Sequence, residues 1–261
     1  MKRMLILAVS GYIALISQVF GNFWTTSRDV PTTAPLDQRM ETEHFIFYFA
    51  RGDRIEDRHK RELEIHYMGL EKNFGVSIPG KIEYYKYYSG EHKKFHTETD
   101  GDGLAVCKPA NDIHSIYPNN IHEMTHIFAA YLGNPNAFLL EGTATAFPGF
   151  YTLGYPRYGY KRPRSLHKRV KQMRKRGTFI PLEDLLDNDT FWKYATDRSY
   201  GPAGSFVRFL IDRYGIEKFR TLYSTVRYDI SVQDFKRTFM QIYEMEFSKV
   251  SEQWLKFIEN N

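Results

Sequence analysis

Residues 121–147 read "IHEMTHIFAAYLGNPNAFLLEGTATAF". His122 and His126 stand four apart, so on an α-helix, which turns about 100° per residue, they project within roughly 40° of each other from successive turns. Two imidazoles on one face can reach one cation. Glu123 lies beside them around the cylinder, where a carboxylate can serve as a base without ligating. Gly133, Asn134 and Pro135 end this helix and allow another to start. That reversal folds the second helix back and carries Glu141, fifteen residues beyond His126, toward the histidines.

Zinc suits this set, because it accepts imidazole nitrogen and carboxylate oxygen, and its catalytic sites keep one coordination position open. The long metzincin pattern would need glycine at position 129 and histidine at 132. Ala129 and Leu132 stand there, so Glu141 is the third ligand expected. A plain alternative exists for each residue. Histidines at i and i+4 can simply pack, and Glu123 closes a capping-box-like pair if Asn120 is the N-cap. Pro118 suits a first helical turn, and a helix starting there would leave Glu123 in its body.

Upstream, "HFIFYFA" alternates Phe45, Phe47 and Phe49 against His44, Ile46 and Tyr48, which is strand periodicity. A helix follows in "RIEDRHKRELEIHYMGLEKNFG", with Ile55, Leu63, Ile65, Met68 and Leu70 at helical intervals and Gly75 placed to cap it. "KIEYYKYYS", "GLAVCKPA" and "DIHSIYP" read as further strands. "TETDGDG" has a faint calcium-loop look, but Pro109 replaces the closing acid, so a turn is expected. Residues 148–164, rich in Gly, Pro and Tyr, read as a long loop. Short amphipathic helices follow to the end. Strands first and helices after make the fold α+β: residues 43–150 as a lobe with a small mixed sheet and the zinc-binding helices, then residues 151–261 as a mostly helical lobe.

Over roughly residues 43–225 the chain resembles the gluzincin metallopeptidases of the peptidase MA-like families. "HEMTH" is similar to their zinc helix and "FLLEGTATAF" to the helix bearing their glutamate ligand. "FIPLEDLL" and "SYGPAGSFVRFLIDRYGIEKFRTLY" are similar to the helical segments that follow. The resemblance implies one Zn2+ held by His122, His126 and Glu141, Glu123 as general base, and peptide-bond hydrolysis. Because such proteins often supply an oxyanion donor from the helical lobe, it also makes Tyr200, read as lying just before a helix, a catalytic candidate. The sequence departs from the family pattern twice. The His126–Glu141 interval is shorter than in thermolysin-like and large aminopeptidase members, and Thr145 stands where many members carry an acid. The alternative is a non-catalytic gluzincin-like module that binds metal or anionic envelope surfaces. Hydrolysis of a non-protein amide would use the same residues.

With 42% apolar and 16% aromatic residues among 261, a disordered chain is excluded. "MKRMLILAVSGYIALISQVFGN" puts Lys2 and Arg3 before an apolar run, a signal peptide over residues 1–21 cleaved before Asn22. An uncleaved anchor is the alternative; otherwise no membrane span is expected. The protein is thus read as periplasmic or extracellular, or else tethered by that segment. Residues 22–42, with Pro31 and Pro35, read as an ordered or floppy lead-in with no fold of its own. Cys107 is the single cysteine, so no intrachain disulfide can form, and a buried inert thiol is expected. His114 is expected to be structural. A net charge of +5, or +3 without Lys2 and Arg3, is too mild to argue for nucleic acid. Arg157, Lys161, Arg162, Arg164, Lys168, Arg169, Lys171, Arg174, Lys175 and Arg176 form a basic run. It is either a solvated face or a rim that draws in acidic peptides or anionic polymers.

Overall fold

The computed structural model describes residues 30–149, 163–194 and 196–260. The expected signal peptide, the first lead-in residues and most of the Gly-, Pro- and Tyr-rich loop lie outside them.

The strands form one five-stranded mixed sheet. β2 (Phe45–Phe49) buries Phe45, Phe47 and Phe49 and leaves Ile46 and Tyr48 partly exposed, as the alternation requires. It runs parallel to β3 (Ile82–Lys86), which runs parallel to β5 (Asp112–Ser115). β4 (Gly103–Val106) pairs antiparallel with β5 and forms one edge of the sheet, and β1 (Gln38–Glu41) pairs antiparallel with β2 at the other. β1 places the last part of the 22–42 lead-in, expected to be ordered or floppy, at the edge of the sheet. Its side chains are half-buried or exposed and only Met40 among them packs against the core, so the sequence pattern is weak and the ladder to β2 does much of the holding.

α1 (Asp57–Phe74) links β2 to β3 and ends where Gly75 takes φ +63° and donates its N–H to Glu71 O at 2.8 Å. Its buried stripe differs from the expected one. His59, Leu63, His66, Tyr67, Leu70 and Phe74 face inward, while Met68 is 54% exposed. A short helix, α2 (Gly90–Thr97), capped by Ser89, has no counterpart among the sequence expectations. The stretch after it forms the expected turn, with Tyr117 Oη donating to Asp102.

α3 (Ile121–Ala130) and α4 (Ala137–Ala146) are the two helices of the quoted stretch. Every α4 residue except Leu140 is buried, the signature of a helix enclosed on all sides. It packs between α3 and α7 (Thr196–Tyr214), which presents Ala203, Phe206, Val207 and Leu210 at i, i+3, i+4 and i+7. α5 (Pro163–Lys175), α6 (Asn188–Lys193), α8 (Ile216–Thr225), α9 (Val232–Tyr243) and α10 (Phe247–Asn260) complete an α+β fold. One apolar core runs continuously from Phe45 to Ile258. Among the described residues no helix is long and apolar enough to cross a membrane.

His114 on β5 stacks against Tyr85 with ring centroids 4.7 Å apart, and its Nδ1 lies 2.8 Å from Tyr87 Oη. Burial, aided by the Lys93 charge, lowers its pKa to about 4. The unfolded chain therefore binds a proton that the folded one refuses between about pH 6.5 and 4. Its contribution is complete above that window and is lost as pH falls through it, reaching about 3 kcal/mol. Denaturant titrations from pH 7 to 4 are expected to show a shallower loss of stability for His114→Gln than for wild type; parallel curves would refute this.

Candidate metal centre

The N-terminus of α3 is set by Asn120. Its Oδ1 accepts from Glu123 N at 3.3 Å, so Asn120 is the N-cap, the helix begins at Ile121 and Glu123 is its third residue. This settles the choice left open by Pro118. The other half of a capping box does not form, because the Asn120 N–H donates to Tyr84 Oη at 2.7 Å. Freed from that role, the Glu123 carboxylate lies against Gly103 on edge strand β4.

The structure brings three of the predicted residues together. His122 Nε2 and His126 Nε2 are 3.1 Å apart, and Glu141 Oε2 lies 3.2 Å from the first and 3.4 Å from the second. The shorter chain between His126 and Glu141 is thus no obstacle, since α4 folds directly back on α3. Zinc with ligands at about 2.0–2.1 Å in tetrahedral array has ligand–ligand edges of about 3.3–3.4 Å, so this triangle fits the ion. His2Glu is also a donor set typical of catalytic zinc.

Electrostatics point the same way. Glu141 is 5% exposed in the middle of the enclosed helix α4, where an isolated carboxylate would be costly. Among the described residues no Lys or Arg pairs with it; its ion-pair partners are the two imidazoles. Burial opposes its charge, but the imidazoles outweigh burial and hold it well below the usual carboxylate range. Burial likewise disfavours the His126 imidazolium, and the Glu141 carboxylate, helped by Glu123, more than offsets it and raises that pKa.

Tyr200 lies inside α7, four residues after its start, and not just before a helix as expected. Its ring lies parallel to that of His122 at 6.0 Å, with Phe191 5.7 Å away on stacked planes, so it borders the centre. Thr145 plays no polar part there among the described residues: its buried hydroxyl has no hydrogen-bond partner among them, and its methyl packs at Gly204. Cys107 is half-buried with Sγ 3.6 Å from His126 O. Burial, reinforced by the Glu123 charge, pushes its thiol up to about 11, consistent with an inert cysteine.

Three residues near the centre escaped the sequence reading. Gly103 gives Glu123 its room. Ser115 Oγ accepts from Asn120 Nδ2 at 3.0 Å and steadies the cap. Lys93, fully buried, donates from Nζ to Thr99 O, Thr99 Oγ1 and Asp100 O at 3.1, 2.9 and 3.2 Å; burial lowers its pKa, against the pull of the Glu123, Asp100 and Asp102 charges. A buried lysine in a polar stretch carries no local signal; only tertiary packing reveals it.

A second group, Glu43, His44 and Glu64, also brings three such atoms together. Both Glu64 oxygens are already engaged by His44, at its backbone N–H (3.1 Å) and at Nδ1 (2.6 Å), which clamps β2 to α1. No protein-family model and no curated protein sequence matches the chain.

Proposed function

We propose that this chain is an exported zinc-dependent hydrolase of amide bonds, a peptidase of gluzincin type. The observation that carries the reading is the buried Glu141 carboxylate, whose partners are two imidazoles at tetrahedral-edge distances and no lysine or arginine among the described residues. His122, His126 and Glu141 would hold the ion. Bound zinc would supply Lewis acidity, polarising a carbonyl and making water nucleophilic near neutral pH. Glu123 takes the proton of the attacking water and returns it to the departing amine. Tyr200, across His122 from α7, is the candidate donor to the developing oxyanion.

The test is elemental analysis of the purified protein, joined to a mixed-peptide screen with and without chelator. About one zinc per chain is expected, with cleavage that disappears on chelation and returns with added zinc. Failure to bind a transition ion even after reloading would sink the reading, and zinc without any cleavage would favour the non-catalytic module.

The substrate is proposed to be acidic. No Asp or Glu occurs from residue 142 to 182. On α5 and just beyond it Lys168, Arg169, Lys175 and Arg176 are exposed, whereas Lys171 and Arg174 bond to Glu259 near the chain end. Arg169 flanks α7 at Gly201, where its Cδ and Nε lie 3.6 Å from a Cβ built there, next to Tyr200. Raising salt from about 0.05 to 0.5 M shortens screening lengths severalfold, and about a tenfold loss of kcat/KM is expected for acidic peptides but not for neutral ones. Equal salt response of both would refute the preference.

A further inference from the structure

We infer that Gly103 is a positioning residue for Glu123: the missing side chain at the start of edge strand β4 defines the space in which the carboxylate sits. The inference rests on the hydrolase reading for its consequence, though not for its geometry. A Cβ at Gly103 would lie 2.5 Å from Glu123 Oε1, 3.0 Å from its Cδ and 2.5 Å from Asn120 Nδ2. Gly103 is not among the positive-φ glycines of the described residues, so its backbone would accept alanine. The neighbours would not.

Which group yields follows from what holds each one. β4 cannot retreat easily. Gly103 pairs with Ser115, Asp102 O accepts from Ile116 N at 3.0 Å, Tyr117 Oη donates to the Asp102 carboxylate at 2.7 Å, and the buried Lys93 ammonium fastens Thr99 and Asp100 just before it. Asn120 is fixed from three directions, by Tyr84 Oη at its N–H, by Ser115 Oγ at Nδ2 and by Glu123 N at Oδ1. Among the described residues the Glu123 carboxylate has no such set of fixed partners, and it ends a flexible side chain, so it moves. A displacement on the order of 1 Å at a reacting group costs about 10²-fold in rate.

The test is a melting cycle in the metal-free protein, run beside kinetics of the zinc enzyme. Gly103→Ala is expected to lower the thermal midpoint by several degrees, and by distinctly less in the Glu123→Ala background, because the carboxylate that competes for the space is then gone. Equal losses in both backgrounds would overturn the inference. In the zinc enzyme Gly103→Ala is expected to keep its metal affinity within about threefold and to lose about 10²-fold in kcat with KM little changed. An unaltered kcat would overturn it as well. A wild type that cleaves nothing would defeat the hydrolase reading alone, and the melting cycle would still decide whether residue 103 places the carboxylate.

Discussion

Glu123→Gln is expected to cut peptide hydrolysis by about 10²–10⁴-fold while leaving zinc stoichiometry and affinity unchanged. The separation follows from where Glu123 sits. It is absent from the triangle of His122 Nε2, His126 Nε2 and Glu141 Oε2, so removing its charge takes no donor from the ion. Its backbone N–H, the atom that Asn120 caps, is present in glutamine too, so the start of α3 keeps its geometry. The two side chains are nearly isosteric and both fit beside Gly103. What glutamine lacks is the capacity to take a proton from water and return it. Glu123→Asp should fall between wild type and glutamine, since it keeps the base but withdraws it by one methylene. Elemental analysis and turnover of one identified peptide by the three proteins are sufficient. Glutamine cleaving within about twofold of wild type, with equal zinc, would mean that the base lies elsewhere.

The convergence of His122, His126 and Glu141 was readable from sequence because the signals are local. An i, i+4 histidine pair has a fixed angular relation on any helix, and Gly133–Pro135 states that the chain turns before Glu141. β2 and the Gly75 cap were legible for the same reason. What sequence reading missed depends on distant neighbours. β1 offers only Met40 as an apolar side chain, too little for a strand signal, and depends on the ladder that β2 provides. The inward face of α1 uses His59 and His66, which rank as polar in any pattern yet fold buried and neutral, since burial lowers both to a pKa of about 4. The capping box that sequence allowed between Asn120 and Glu123 forms only by half, because Tyr84, thirty-six residues upstream in sequence, takes the Asn120 N–H on its hydroxyl. Gly103 acquires meaning only when an edge strand lies beside a helix N-terminus.

Gly204→Ala is expected to destabilise the protein by about 2 kcal/mol, and Gly204→Leu by about 4 kcal/mol, despite the helical location that normally favours alanine over glycine by up to about 1 kcal/mol. α4 and α7 cross with glycines at the contact. A Cβ at Gly142 would lie 3.0 Å from Val207 Cγ2 and 3.1 Å from Ala203 O, and a Cβ at Gly204 would lie 2.6 Å from Thr145 Cγ2 and 2.8 Å from Thr145 Cβ. Thr145 Cβ is no flexible tip; it moves only with the α4 backbone. Since α4 is enclosed, pushing it off α7 drives it toward α3 and disturbs the core packed on both sides. Glu141 lies one turn before Thr145 on the same helix, so the displacement reaches the candidate metal centre, and about a tenfold weaker zinc affinity should accompany the lost stability. Thr145→Gly introduced with Gly204→Ala removes both offending atoms and should recover part of each loss, a coupling that independent sites would not show. Urea denaturation and zinc competition on the four proteins of this cycle measure both effects. Should Gly204→Ala melt at or above the wild-type midpoint, the crossing would not be as tight as these distances require, and the close approach of α4 could not be what brings Glu141 to the histidines.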